Sequence, residues 1–210
     1  EGRGGTREER RDMIQTCRAA GVRVYADAVI NHMSGGGNDI LNHRNGSSDW
    51  CTNWGGKGTS DNSGKGSPYF THNWTYEFAE NTGLIPGLEF PNAAYIPTDF
   101  HCERSLNSWT DPFQLNNGWL SGLADLDTEK DYVRERIAAY LTDMISIGFS
   151  GFRVGAAKHI QPEPLAAIFA KVKDTLGGGD LPEDFISYLE VLIGGEKDLL
   201  FCDEGDYSYG

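Results

Sequence analysis

Asp131–Val154 reads DYVRERIAAYLTDMISIGFSGFRV, and this stretch decides the fold class. Val133, Ile137, Leu141, Met144 and Ile145 recur at helical spacing, so they mark one helix face. Gly148 supplies the stop, and Phe149–Val154 follows as a strand. The same grammar continues downstream. Leu165, Ile168, Phe169 and Val172 mark a second helix, which Gly177 to Gly179 ends. Phe185–Leu192 reads as another strand, and a further helix-like piece begins near Glu196. Upstream, Thr6 and Glu9 are spaced as a capping box. Behind it Met13, Ile14, Cys17 and Ala20 follow helical spacing, Gly21 ends the helix, and Val22–Asp27 reads as a strand. Alternation of this kind predicts a parallel sheet with crossover helices, either doubly wound or closed into a barrel. A doubly wound nucleotide binder should carry a glycine fingerprint directly after a strand, and neither GxGxxG nor GxxxxGK[ST] follows these strands. Gly177–Gly179 follows a helix, which makes it a loop.

Between His32 and Ser121 the periodicity lapses into Gly, Ser, Asn, Asp and Trp with short apolar pieces. Ninety residues are too many for an ordinary loop, so an inserted subdomain is expected. Its tryptophans Trp50, Trp54, Trp74, Trp109 and Trp119 have faces that suit sugar rings, although such residues more often form the small core of an insertion. Asn45 and Asn73 open glycosylation sequons, a weak pointer to a secreted protein. Cys17, Cys51, Cys102 and Cys202 include no CxxC pair, which argues against a zinc or thioredoxin-type site and leaves disulfide pairing open.

The formal charge of −13 disfavours nucleic acid and anionic membrane surfaces, leaves neutral ligands such as sugars unaffected, and attracts metal cations. With 39% hydrophobic and 23% charged residues the chain has a globular composition. No apolar run approaches the ~18 residues that span a bilayer, and no signal-peptide pattern opens the chain. Residue 1 is Glu, and an internal start is expected.

In parallel α/β barrels working residues collect at the carboxyl ends of strands. The three strand ends here carry Asp27, Asn31 and His32; Arg153, Gly155, Lys158 and His159; and Glu190. Arg153 and position 155 are two apart, so they point to the same side of the sheet. An inward arginine calls for an anionic partner, and Gly155 has no side chain to offer.

Asp27-Ala-Val-Ile-Asn-His32, Gly151-Phe-Arg-Val-Gly-Ala-Ala-Lys-His159 and Glu190-Val, in that order, resemble three strand ends of the α-amylase family of glycoside hydrolases. Gly122-Leu-Ala-Asp125-Leu resembles a fourth, and the likeness is nearest to the animal-type, secreted members. The resemblance implies a partial (β/α)8 TIM barrel, with residues 1–31 and 122–210 belonging to the catalytic barrel and 32–121 to a B domain inserted after the third barrel strand. It implies a retaining hydrolase of α-1,4-glucans, acting on starch or maltooligosaccharide through two carboxylates about 5 Å apart. Glu190 matches the general acid/base, and Arg153 matches the arginine that orients the nucleophile and binds chloride in chloride-dependent members. Asp27 and His32 match residues contacting the sugar beside the cleaved bond, and Lys158 and His159 match positions on the leaving-group side. A structural Ca²⁺ is expected, with side-chain oxygens from Asn31 and Asp125 and backbone carbonyls from Asn116 and His159. The family's third catalytic acid would lie beyond Gly210. An extracellular monomer is expected.

One departure matters for chemistry. The family motif carries an Asp nucleophile where this chain has Gly155, and glycine has no oxygen with which to form a glycosyl-enzyme intermediate. A catalytically crippled chain is therefore expected. The alternative is a non-catalytic glucan-binding or inhibitor-binding homologue on the same fold.

Overall fold

The structure, a computed structural model, describes residues 4–35, 95, 99–101, 106–178 and 181–192. Most of the insertion, both sequons, Trp50, Trp54, Trp74, Cys51, Cys102, Cys202 and the helix expected near Glu196 lie outside the described residues.

Helix α1 spans Arg7–Ala19. Thr6 caps it as the spacing predicts: the Glu9 amide donates to the Thr6 hydroxyl at 3.2 Å, and the Thr6 amide donates to the Glu9 carboxylate at 2.7 Å. Of its expected apolar face only Ile14 is buried, against the Gly148 turn; Met13 and Ala20 are exposed and Cys17 is half-buried. Strand β1 spans Ala26–Val29 rather than the expected Val22–Asp27. Val22 is exposed, and the ladder opens where the Ser150 amide donates to the Val24 carbonyl, which carries the strand further towards its polar end.

Strand β2 (His32–Gly35) pairs antiparallel with β3 (Leu123–Asp125), setting His32 opposite Asp125 across an irregular register. Helix α2 (Pro112–Asn117) precedes β3, with Asp111 as its cap. Helix α3 spans Asp131–Ile147 and ends at Gly148 in the left-handed region, φ 116°. Val133, Ile137 and Leu141 are buried as expected. Strand β4 is Gly151–Gly155, helix α4 is Pro162–Thr175, and strand β5 is Ile186–Leu189. β5 is shorter than the expected Phe185–Leu192, because the Phe185 amide turns back to the Pro182 carbonyl and the Val191 amide to the Leu189 carbonyl.

β1, β4 and β5 form a parallel sheet in that order, with Asp27 opposite Arg153 and Arg153 opposite Tyr188. α3 packs on α4, and α1 on α3, so these helices share one side of the sheet. A doubly wound sheet places helices on both faces, whereas the described helices lie on one. The buried face carries Ala26, Ala28, Phe152 and Val154 beneath Val133, Ile137, Leu165, Ile168 and Val172. The opposite face carries Asp27, Val29, Arg153, Gly155, Ile186 and Tyr188, by alternation along each strand. Gly151 lets β5 approach: a Cβ there would lie 1.7 Å from the Ile186 carbonyl oxygen, at a φ of 152°.

Candidate functional site

The parallel register brings three of the sequence-selected residues together at the carboxyl ends of their strands. Asp27 lies beside Arg153 in the ladder, and Glu190 follows the last residue of β5, its amide donating to the Val154 carbonyl at 2.9 Å. Arg153 joins the two acids. Its Nη1 donates to both Asp27 oxygens at 2.8 and 2.9 Å, and its Nη2 donates to Glu190 Oε1. The hydrogen bond to Asp27, then the nearby charges of Asp27 and Glu190, raise the Arg153 pKa above its ordinary value, so the guanidinium is a fixed cation. The other Glu190 oxygen accepts the Ala156 backbone N–H at 2.9 Å.

Gly155 sits among these groups. A Cβ there would lie 3.3 Å from Arg153 Nη1, 3.4 Å from Val29 Cγ2 and 3.5 Å from Asp27 Oδ1. Its φ is outside the left-handed region, so the backbone accepts any L side chain. A carboxylate at 155 would therefore project into the same cluster as Asp27 and Glu190. As the chain stands, the cluster holds two carboxylates and one guanidinium. Gly155 adds no side-chain oxygen to it.

A second neighbourhood surrounds Asn31 and Asp125, both almost fully buried. Asn31 Nδ2 donates to Asp125 Oδ1 at 2.9 Å, and His101 Nδ1 lies 2.6 Å from Asp125 Oδ2. His101 Nε2 lies 3.0 Å from Glu129 and 3.7 Å from Asp127. Burial opposes charge on His101, but hydrogen bonds to Asp125 and Glu129 prevail and push its pKa up to about 10, making it an imidazolium. Burial also raises the pKa of Asp125, against the opposing pull of His101 and Asn31. Burial, then the charge of His159, lowers the pKa of His32 and favours its neutral ring. The His159 Nδ1–H donates to the Leu115 carbonyl at 3.0 Å, which ties the β4 rim to α2 and to Asn116. Asn116 is buried, and its side-chain oxygen has no hydrogen-bond partner.

Lys158 and His159, expected at the binding cleft, are both buried. The Lys158 ammonium donates to the Leu192 carbonyl and stands 5.4 Å from the centre of the Trp109 ring. The His159 ring meets Trp109 edge-on at 5.3 Å. Trp119 is core, its indole N–H donating to the His101 carbonyl at 3.1 Å. Sequence reading overlooked His101, Asp127, Glu129 and Ala156. The alternation Asp125, Asp127, Glu129 was a usable signal for Asp127 and Glu129; neither His101 nor Ala156 carries one.

A family profile described as "Alpha amylase, catalytic domain" matches residues 3–176. The chain is 37% identical over 181 residues to an α-amylase of Thermomonospora curvata, covering 84% of this chain and 24% of that protein. It is 36% identical over 173 residues to pancreatic α-amylase 2a5 of Mus musculus, covering 81% of this chain and 28% of that protein. Among solved structures it is similar to a variant of α-amylase I from Eisenia fetida in complex with maltohexaose. There the TM-score is 0.60 at 27% identity, covering 91% of this chain and 33% of that one. The chain thus spans about a quarter to a third of the proteins it matches.

Proposed function

This chain belongs to the α-amylase catalytic-domain family, and on that premise we propose that the protein carries the glucan site of an α-1,4-glucan hydrolase with its nucleophile missing. One observation carries the reading: Asp27, Arg153 and Glu190 share one face of a parallel sheet, with Arg153 bridging the two acids around Gly155. Glu190 is the group that would protonate the leaving glycosidic oxygen and later take a proton from water. Arg153 would orient a carboxylate at 155, and Asp27 and His32 would hold the sugar beside the cleaved bond. Lys158 and His159 would contribute on the leaving-group side through the rim that they stiffen. In this reading the sheet is one wall of a (β/α)8 barrel, residues 32–121 form the B domain beside the cleft, and the protein is a secreted monomer. Among the described residues no helix is long and apolar enough to cross a membrane.

The residues fit a structural Ca²⁺. Asn31, Asp125 and Asn116 supply hard oxygens from separate segments, and the buried, unpartnered Asn116 oxygen marks a neighbourhood short of a donor or cation. A half-turn of the Asn31 amide would place its oxygen beside that of Asp125. When bound, the ion would supply a rigid electrostatic tie between the insertion and the barrel, with the Asn116 and His159 carbonyls completing the set. His101, Asp127 and Glu129 also cluster within 4.8 Å, but there the His101 imidazolium already pairs with the acids. Chloride is the further expected ion, at Arg153, which pairs with Asp27 and Glu190. Chelation with EDTA should lower the melting temperature of the full-length protein by about 5–10 °C, because an ion that binds only the folded state adds its binding energy to stability. An unchanged melting curve would remove calcium from the account.

Gly155 favours a second reading, a non-catalytic glucan-binding homologue on the same fold. Soluble starch separates the two. Under the hydrolase reading, aspartate at 155 produces reducing sugar; under the binding reading, both forms hold maltooligosaccharide and neither cleaves it.

A further inference from the structure

Ala156 is one of two non-glycine residues at positive φ among the described residues, with φ 53° and ψ 27°. The left-handed region disfavours any residue with a Cβ, and such residues persist where the surroundings over-determine them, often at functional sites. The conformation has a visible consequence here. It turns the chain sharply off the end of β4 into the short 3₁₀ turn Ala157–His159, and the Ala156 N–H at the head of that turn donates to Glu190 Oε2, 2.9 Å away. The same turn holds the segment after β5 a second time, through the Lys158 ammonium on the Leu192 carbonyl. The Glu190 carboxylate is thus gripped on one oxygen by Arg153 and on the other by the backbone N–H of a left-handed residue.

We propose that Ala156 is a positioning residue: its left-handed backbone fixes the rotamer and aim of the Glu190 carboxylate. The inference rests on the reading of Glu190 as the proton-transferring acid/base. Arg153 alone would leave that carboxylate free to swing about a single contact, whereas two contacts on opposite oxygens hold it in one orientation. Side-chain size at 156 is secondary, because the residue is half-exposed; what matters is the conformation that the residue tolerates.

Two measurements on the full-length protein test this. In the first, ¹⁵N-alanine labelling follows the Ala156 amide through a pH titration, in the native sequence and in Glu190→Gln. The proposal expects an amide proton resonance that moves with pH and loses that response in Glu190→Gln; an amide indifferent to Glu190→Gln overturns it. In the second, the Gly155→Asp background carries Ala156→Val, Ala156→Asn or Ala156→Gly. Valine resists the left-handed region, so kcat on maltohexaose should fall about tenfold or more with KM little changed, and asparagine or glycine should restore it. Equal kcat across the series overturns the proposal. If the valine form does not fold, the asparagine and glycine forms and the amide titration still decide it. If Gly155→Asp releases no sugar, the hydrolase reading fails, while the amide titration independently decides the contact.

Discussion

Replacing Gly155 with aspartate is expected to raise starch hydrolysis by the full-length protein about 10⁴-fold, the usual scale of loss when a catalytic nucleophile is absent. The expectation is structural as well as chemical. The backbone at 155 takes an ordinary side chain, and the new Cβ would press only on Arg153 Nη1, the far end of a flexible side chain that can yield by a few tenths of an ångström. The carboxylate would then compete with Asp27 for the guanidinium, which moves Arg153 into the orienting role that the motif implies. Reducing-sugar release from soluble starch measures the effect. Equal rates for the glycine and aspartate forms would mean that position 155 is not where the attacking group belongs.

The second large effect concerns the fold that builds the site. Gly151→Ala should destabilise the protein by about 3–5 kcal/mol in urea unfolding, a large share of a typical domain's stability. A Cβ at 151 would overlap the Ile186 carbonyl oxygen at 1.7 Å, and no rotamer relieves a backbone clash. β5 would have to retreat from β4. Glu190 would retreat with it, since its amide is the next link of the same ladder. The variant should therefore lose glucan binding along with stability. A loss below about 1 kcal/mol would show that β4 and β5 do not meet in this register.

Where the sequence spoke clearly, it did so through periodicity. Val133, Ile137 and Leu141 gave α3, and Gly148 gave its end, because a buried helix face repeats every three to four residues and a left-handed stop needs glycine. Strand ends were less legible. The expected Val22–Asp27 became Ala26–Val29, since strand limits depend on register with partners that are remote in sequence. The rim residues Asp27, Arg153 and Glu190 were readable as a set because alternation fixes which face each takes once the strands are parallel. His101 was not. It lies in a stretch without periodicity, and only the fold brings it to Asp125. Ala156 was invisible for another reason: nothing in an alanine announces a left-handed backbone. For Lys158, nothing in the sequence announces that its ammonium reaches the Leu192 carbonyl beyond the next strand.

Calorimetric titration of maltohexaose into the full-length protein, native and Asp27→Ala, puts the shared sugar-facing rim to its most direct test. Saturable binding by the Gly155 form, weakened about tenfold or more by Asp27→Ala, is the predicted result, because the loss of one well-placed hydrogen-bonding carboxylate costs 1.5–3 kcal/mol, roughly, in such a site. No heat of binding in the native protein, or identical affinities in the two forms, would contradict the claim that these strand ends face a glucan.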